Sequence, residues 1–101
     1  MTDQEIIDHF KSKDEHRITL AYEYCYFRVY CILDEYIRIR SGGPQDTEDT
    51  TTDAIIEFFY KCTLFDFLPN RSVIGFIYGI GRNKWQKQIT KHVGKSRNVD
   101  P

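Results

Sequence analysis

The chain has 101 residues and a formal net charge of −1, enough for one domain with one modest core and too few for two. Its 7 Phe, 7 Tyr and 1 Trp supply apolar surface that a disordered chain lacks, which excludes wholesale disorder. No uncharged run approaches the length of a membrane span, and the polar, acidic N-terminus is not that of a signal peptide.

The near-neutral total conceals a split. Residues 1–68 hold 7 Lys/Arg and 14 Asp/Glu, net −7; residues 69–101 hold 7 Lys/Arg and 1 Asp, net +6. An acidic body carrying a basic C-terminal arm is the electrostatic form of a nucleic-acid contact that is one part of a larger interface.

Residues 3–10 place Ile6, Ile7 and Phe10 on one side. This predicts a short amphipathic helix capped by Thr2 or Asp3. Residues 14–40 predict a long helix, with Ile18, Ala21, Tyr22, Cys25, Val29, Ile32, Leu33 and Tyr36 on one buried stripe. Phe27, Tyr30 and Ile37 widen that stripe, so the helix is expected to meet more than one neighbour. Ser41-Gly42-Gly43-Pro44 ends it.

The run Asp46-Thr47-Glu48-Asp49-Thr50-Thr51-Thr52-Asp53 is dense in N-cap residues and acids, which favour a helix N-terminus. The helix behind it is expected to reach about Lys61, burying Ala54, Ile55, Phe58, Phe59 and Cys62. Thr63 to Arg71 reads as a loop. Ser72 caps a last helix from Val73 to His92, with Ile74, Ile77, Tyr78, Gly81, Trp85 and Ile89 inward and Lys84, Lys87, Lys91 and Lys95 outward. The domain is expected to span 1–95, with a polar tail at 96–101. The fold class is therefore all-α, a small bundle of one short and three longer helices.

The basic face from Arg82 to Lys95 is the strongest chemical signal. It would lie along a phosphate backbone, with Trp85 or Tyr78 stacking on a base; the plain alternative is a solvated helix face. Gly75, Gly79 and Gly81 inside a helix each cost about 1 kcal/mol against Ala. Close approach of another helix is the favoured account. The alternative is a helix-turn-helix with its turn at Gly79–Arg82 and residues 82–92 as recognition helix, an arrangement that Gln88 fits poorly.

The acids Asp46, Glu48, Asp49, Asp53 and Glu57 lack the spacing of a calcium loop and suit a protein-docking face or a solvated helix start. Cys25, Cys31 and Cys62 form no Cys-x-x-Cys pair and sit in apolar runs; they read as reduced core residues of a cytosolic protein. His9, His16 and His92 have no partner at metal or catalytic spacing, and no nucleophile–base pair or phosphate loop stands out. No metal, no cofactor and no enzyme activity are expected.

Together these segments resemble region 2 of the extracytoplasmic-function sigma factors of bacterial RNA polymerase, in the form common in Bacteroidetes-type bacteria. Thr2-Asp3-Gln4-Glu5-Ile6-Ile7 with Lys11-Ser12-Lys13-Asp14-Glu15 looks like the family's opening helix and turn. Leu20-Ala21-Tyr22-Glu23-Tyr24 is similar to its Leu-Tyr-Glu-x-Tyr helix, and Asp46-Thr47-Glu48-Asp49 to its Asp-Ala-Glu-Asp. Phe76-Ile77-Tyr78-Gly79-Ile80-Gly81-Arg82-Asn83 resembles its Trp-Leu-Tyr-x-Ile-Ala-Arg-Asn. Departures are Thr50–Asp53 where the family has apolar residues, Gln and an acid, Glu57 where a basic residue is common, and Lys87 in place of Asp. The family's second, promoter-reading domain has no counterpart in these residues.

The resemblance implies promoter recognition, with core RNA polymerase and single-stranded minus-ten DNA as partners, an anti-sigma factor as a further one, and no membrane. It makes residues 79–81 continuous helix, with Gly81 at a packed crossing. Polymerase docking would fall to Asp49, Thr52, Asp53, Ile56 and Glu57. Phosphate contacts would fall to Arg82, Lys84, Lys87 and Lys91, with Asn83 and Gln88 also on the DNA-binding face and Tyr78 and Trp85 available to bases, and Phe65, Phe67, Asn70 and Arg71 would catch an unstacked base. A stand-alone helix-turn-helix regulator and a sigma-fold interaction module without DNA binding are the alternatives.

Overall fold

The computed structural model describes residues 1–65, 69–70 and 72–99, with side chains through Thr90. They form four helices and no strand: α1 Asp3–Lys11, α2 Glu15–Ile39, α3 Pro44–Phe65 and α4 Val73–Val99. The long helices α2, α3 and α4 pack pairwise, and α1 lies across α2 and α3.

Each helix start has an identifiable chemical cause. Thr2, not Asp3, caps α1: its Oγ1 accepts from the Glu5 N–H at 3.1 Å while the Glu5 carboxylate accepts from the Thr2 N–H at 2.9 Å, a complete capping box. Those bonds to Thr2 hold the Glu5 carboxyl below its ordinary range. Asp14 caps α2 by accepting from the His16 and Arg17 N–H groups. Ser72 caps α4, its Oγ accepting from the Gly75 N–H at 3.0 Å.

The third helix begins earlier than the acidic run suggests. Pro44 is its first residue, a position where the missing N–H costs nothing. Gly43 precedes it and donates its N–H to the Asp46 carboxylate at 2.8 Å. Thr47, Thr50 and Thr51 therefore lie within the helix and are buried. Pro44 starts α3, while α2 has already ended at Ile39; the sequence shows Pro44 only as a helix end. The helix also continues through Phe65, past the expected end near Lys61. α4 likewise runs beyond His92 to Val99, across the expected start of the tail at 96.

The α2 core ridge is Ala21, Cys25, Val29, Leu33 and Ile37, all fully buried. This strict four-residue spacing is one ridge fitting the grooves of its neighbours. The broader stripe expected from sequence is too wide: Ile32 is 44 % exposed and Phe27 75 %. Ile6, Ile7 and Phe10 of α1 close the core against Phe58 and Phe59, with edge-on ring contacts at 6.1 and 5.6 Å.

Two glycines sit at close crossings. A Cβ on Gly81 would lie 2.8 Å from Leu33 Cδ2, so α4 approaches α2 closely there. A Cβ on Gly42 would lie 2.8 Å from Trp85 Cζ2 and also strike Ile37. Gly79 has nothing within 4 Å of its Cβ direction, so packing does not explain it. α4 is unbroken from Gly79 to Arg82. The helix-turn-helix turn expected as an alternative there is absent.

Cys25 and Cys62 are buried, and burial pushes their thiols up to about 12 and about 11. Cys31 is exposed, contrary to the expectation of three core cysteines. It stands outside the four-residue ridge that decides burial on α2. Among the described residues no group of His, Cys, Asp and Glu is gathered as a metal ion would need. No helix among them is long and apolar enough to cross a membrane.

Candidate nucleic-acid interface

α3 and α4 leave an open groove of about 490 Å³ between them. Asn70, from the connection, and Asn83, Lys84 and Lys87, from α4, all line it. The structure thus brings a loop residue and three arm residues into one place. Gly75 and Gly79 also line the groove, and their bare backbone lets a ligand approach α4 closely.

Glu57 lines the same groove from α3, and its Oε1 lies 3.0 Å from Lys84 Nζ. A residue expected to dock a protein is therefore paired with one expected to hold a phosphate. Both side chains are more than a third exposed, so the pair contributes at most about 1 kcal/mol. Lys61 also lines the groove, and sequence reasoning missed it. Its signal was present: it falls one turn after Glu57 on the same helix face.

Beside the groove, α4 presents Tyr78 and Arg82. Tyr78 is half-buried, and the Arg82 guanidinium lies 5.7 Å from its ring centroid. Asn83, Lys87 and Gln88 are exposed, with their polar ends free for solvent or a strand. Trp85 is 6 % exposed. Its ring lies against Gly42 and Ile37's end of α2, so it cannot offer a face to a base, and the stacking role expected for it is withdrawn. Its inward position follows from Gly81 one turn earlier, which brings α4 close enough to α2 to enclose it. Trp85 Nε1 and Thr51 Oγ1 are buried without a hydrogen-bond partner.

Phe65 is the last residue of α3, not a loop residue, and is 76 % exposed. Leu64 beside it is 68 % exposed. Phe67 and Arg71, expected to read a base, lie outside the described residues, as does the side chain of Lys91.

The outer face of α3 carries Asp49, Asp53 and Ile56, all exposed. Asp49 accepts from Gln45 Nε2 at 2.9 Å. Thr52 is half-buried and accepts from the Tyr22 hydroxyl at 3.4 Å, which ties this face to α2. Tyr60, 56 % exposed, extends the face one turn beyond Ile56 and escaped the sequence reading. On α2, Tyr22, Tyr26 and Tyr30 stack in a row at 6.0 and 5.7 Å. Desolvation, then the nearby Glu48, raises the Tyr26 phenol above its ordinary value. Tyr26, Tyr30, Phe27, Cys31 and Glu48 line a hollow of about 410 Å³. An aromatic and acidic surface thus lies on the opposite flank of α3 from the groove.

No family model, curated protein or solved structure matches the chain.

Proposed function

We propose that the chain is a sigma-factor domain that docks on core RNA polymerase and binds the melted minus-ten promoter strand. The observation that carries this reading is the α3–α4 groove. Asn70 of the connection and Asn83, Lys84 and Lys87 of α4 share it, so one strand could place its backbone on lysines and a base edge on amides. Asn supplies both a donor and an acceptor, and Lys supplies salt-dependent, sequence-independent affinity. The docking surface is the Asp49, Asp53 and Ile56 face of α3, with Thr52 and Glu57 at its margins. The work is binding: no covalent step and no cofactor enter, and the place of action is the cytoplasm. An anti-sigma factor would compete for the same docking surface.

The unbroken α4 argues against a helix-turn-helix regulator. An interaction module without DNA binding keeps one observation in its favour, the Glu57–Lys84 pair, which cancels part of the arm's charge.

Titrating a labelled minus-ten non-template strand and its duplex tests the reading. Single strand should bind better, weakly, and with affinity that falls as salt rises, because the amides need a base that has left the stack. Lys87→Ala should weaken all sequences alike, and Asn70→Ala or Asn83→Ala should change which sequence is preferred. Preference for a palindromic duplex that depends on Lys84 and Gln88 would restore the helix-turn-helix. No binding to either form would favour the interaction module.

A further inference from the structure

Tyr36 stands in the last turn of α2, half-buried, where that helix meets α4. The C-cap residue Arg40 lies on its ring, with Cζ 3.7 Å from the centroid, and Arg82 of α4 lies between its ring and that of Tyr78, 5.7 Å from each centroid. Tyr78 meets Tyr36 edge-on, with centroids 6.3 Å apart at 86°. Gln86 of α4 donates from Nε2 to the Tyr36 hydroxyl, and Arg40 Nη1 donates to the Tyr36 carbonyl oxygen at 3.1 Å.

Arg38 is matched by Asp34 and Lys84 by Glu57. Arg40 and Arg82 instead rest on neutral rings, which orient them without cancelling their charge. Both are exposed. A guanidinium fixed by stacking keeps a planar fork of donors suited to phosphate oxygens, and less freedom is lost when it binds. Arg40 also sits at the C-terminal end of α2, where a cation is favoured by the helix dipole. That alone would explain Arg40, but it does not explain a second arginine, from α4, beside the same Tyr36–Tyr78 pair.

We propose that Arg40 and Arg82, held on Tyr36, form a clamp for neighbouring phosphates of a nucleic-acid strand. A strand in the α3–α4 groove would then pass round α4 onto the end of α2. The clamp rests on the nucleic-acid reading above and adds to it a second helix, α2, that the basic arm does not include.

The test is a fluorescence-anisotropy titration of a labelled mixed-sequence single-stranded oligodeoxynucleotide, repeated over a range of salt. Arg40→Ala and Arg82→Ala should each weaken binding roughly 3- to 10-fold at low salt, for every sequence alike. Each should lower the log–log salt slope by about 0.7, the value for one phosphate of a single strand. Arg40→Gln removes the charge and keeps an amide on a shorter side chain. It should lose the same affinity and the same salt slope, a change in slope that a purely structural arginine would not produce. Wild-type affinity and slope in Arg40→Ala and Arg40→Gln, with Lys87→Ala still weakened, would overturn the clamp and leave the groove reading standing. A wild-type chain that binds no oligonucleotide would remove both.

Discussion

Lys84 Nζ lies 3.0 Å from Glu57 Oε1, and this pair joins the helix proposed to dock a protein to the helix proposed to hold DNA. While it is closed, one lysine of the groove is partly neutralised. Glu57→Gln should therefore raise affinity for single-stranded DNA by up to about fivefold at low salt, the range of an exposed ion pair. The gain should disappear at high salt, where such pairs are screened. Anisotropy titrations at two ionic strengths check both parts.

Gly79 and Gly81 of α4 should respond in opposite directions. Gly79→Ala meets no atom within 4 Å, so it should stabilise by about 1 kcal/mol through helix propensity. It should also fill the groove and weaken single-strand binding. Gly81→Val would press on the fully buried Leu33 and should destabilise by about 1–3 kcal/mol. Urea denaturation of both variants decides this, and equal effects would contradict the packing described.

The end of α2 makes a similar division between two neighbours. Ser41 holds φ 68°, in the left-handed region. Its N–H donates to the Arg38 carbonyl at 3.1 Å, and that of Gly42 to the Ile37 carbonyl at 2.9 Å, the bond pattern of a Schellman cap. Ser41→Gly should stabilise by about 1 kcal/mol by relieving the Cβ strain. Gly42→Ala should destabilise because of Trp85, and melting temperatures should separate the two.

Thiol chemistry should single out one cysteine. In the native protein at neutral pH, a thiol reagent should titrate Cys31 alone; after unfolding it should find three thiols. Burial raises Cys25 to about 12 and Cys62 to about 11, above the ordinary value of about 8.5. The unfolded chain therefore gives up these protons first. Their contribution to stability is complete below the ordinary value and is lost as pH rises through about 9 to 12. Urea midpoints measured across that range should fall.

The parts of the fold that were legible in the sequence are those set by local chemistry. The start of α1 at Thr2 or Asp3, the Ser72 cap and the four-helix order follow from residue type and period. The misread parts depend on tertiary geometry. That Pro44 begins α3 instead of merely following α2 depends on Gly43 and Asp46 closing a turn. Whether Trp85 faces a base or the core depends on how closely Gly81 lets α4 approach Leu33. Cys31 and Ile32 look buried by composition, yet both stand off the fully buried four-residue ridge. For the candidate site, the lysines and asparagines were visible as types. Their meeting in one groove with Glu57, Lys61, Gly75 and Gly79 required the α3–α4 pairing, and the Arg40–Tyr36–Arg82 arrangement required the α2–α4 crossing.

Recovery of core RNA polymerase on the tagged chain tests the central claim most directly. The account predicts that polymerase subunits co-purify with the wild-type chain. It also predicts that Asp49→Lys with Asp53→Lys abolishes this while the helical signal and melting temperature stay unchanged. Failure of the wild-type chain to retain polymerase, or equal recovery by the double variant, would contradict it.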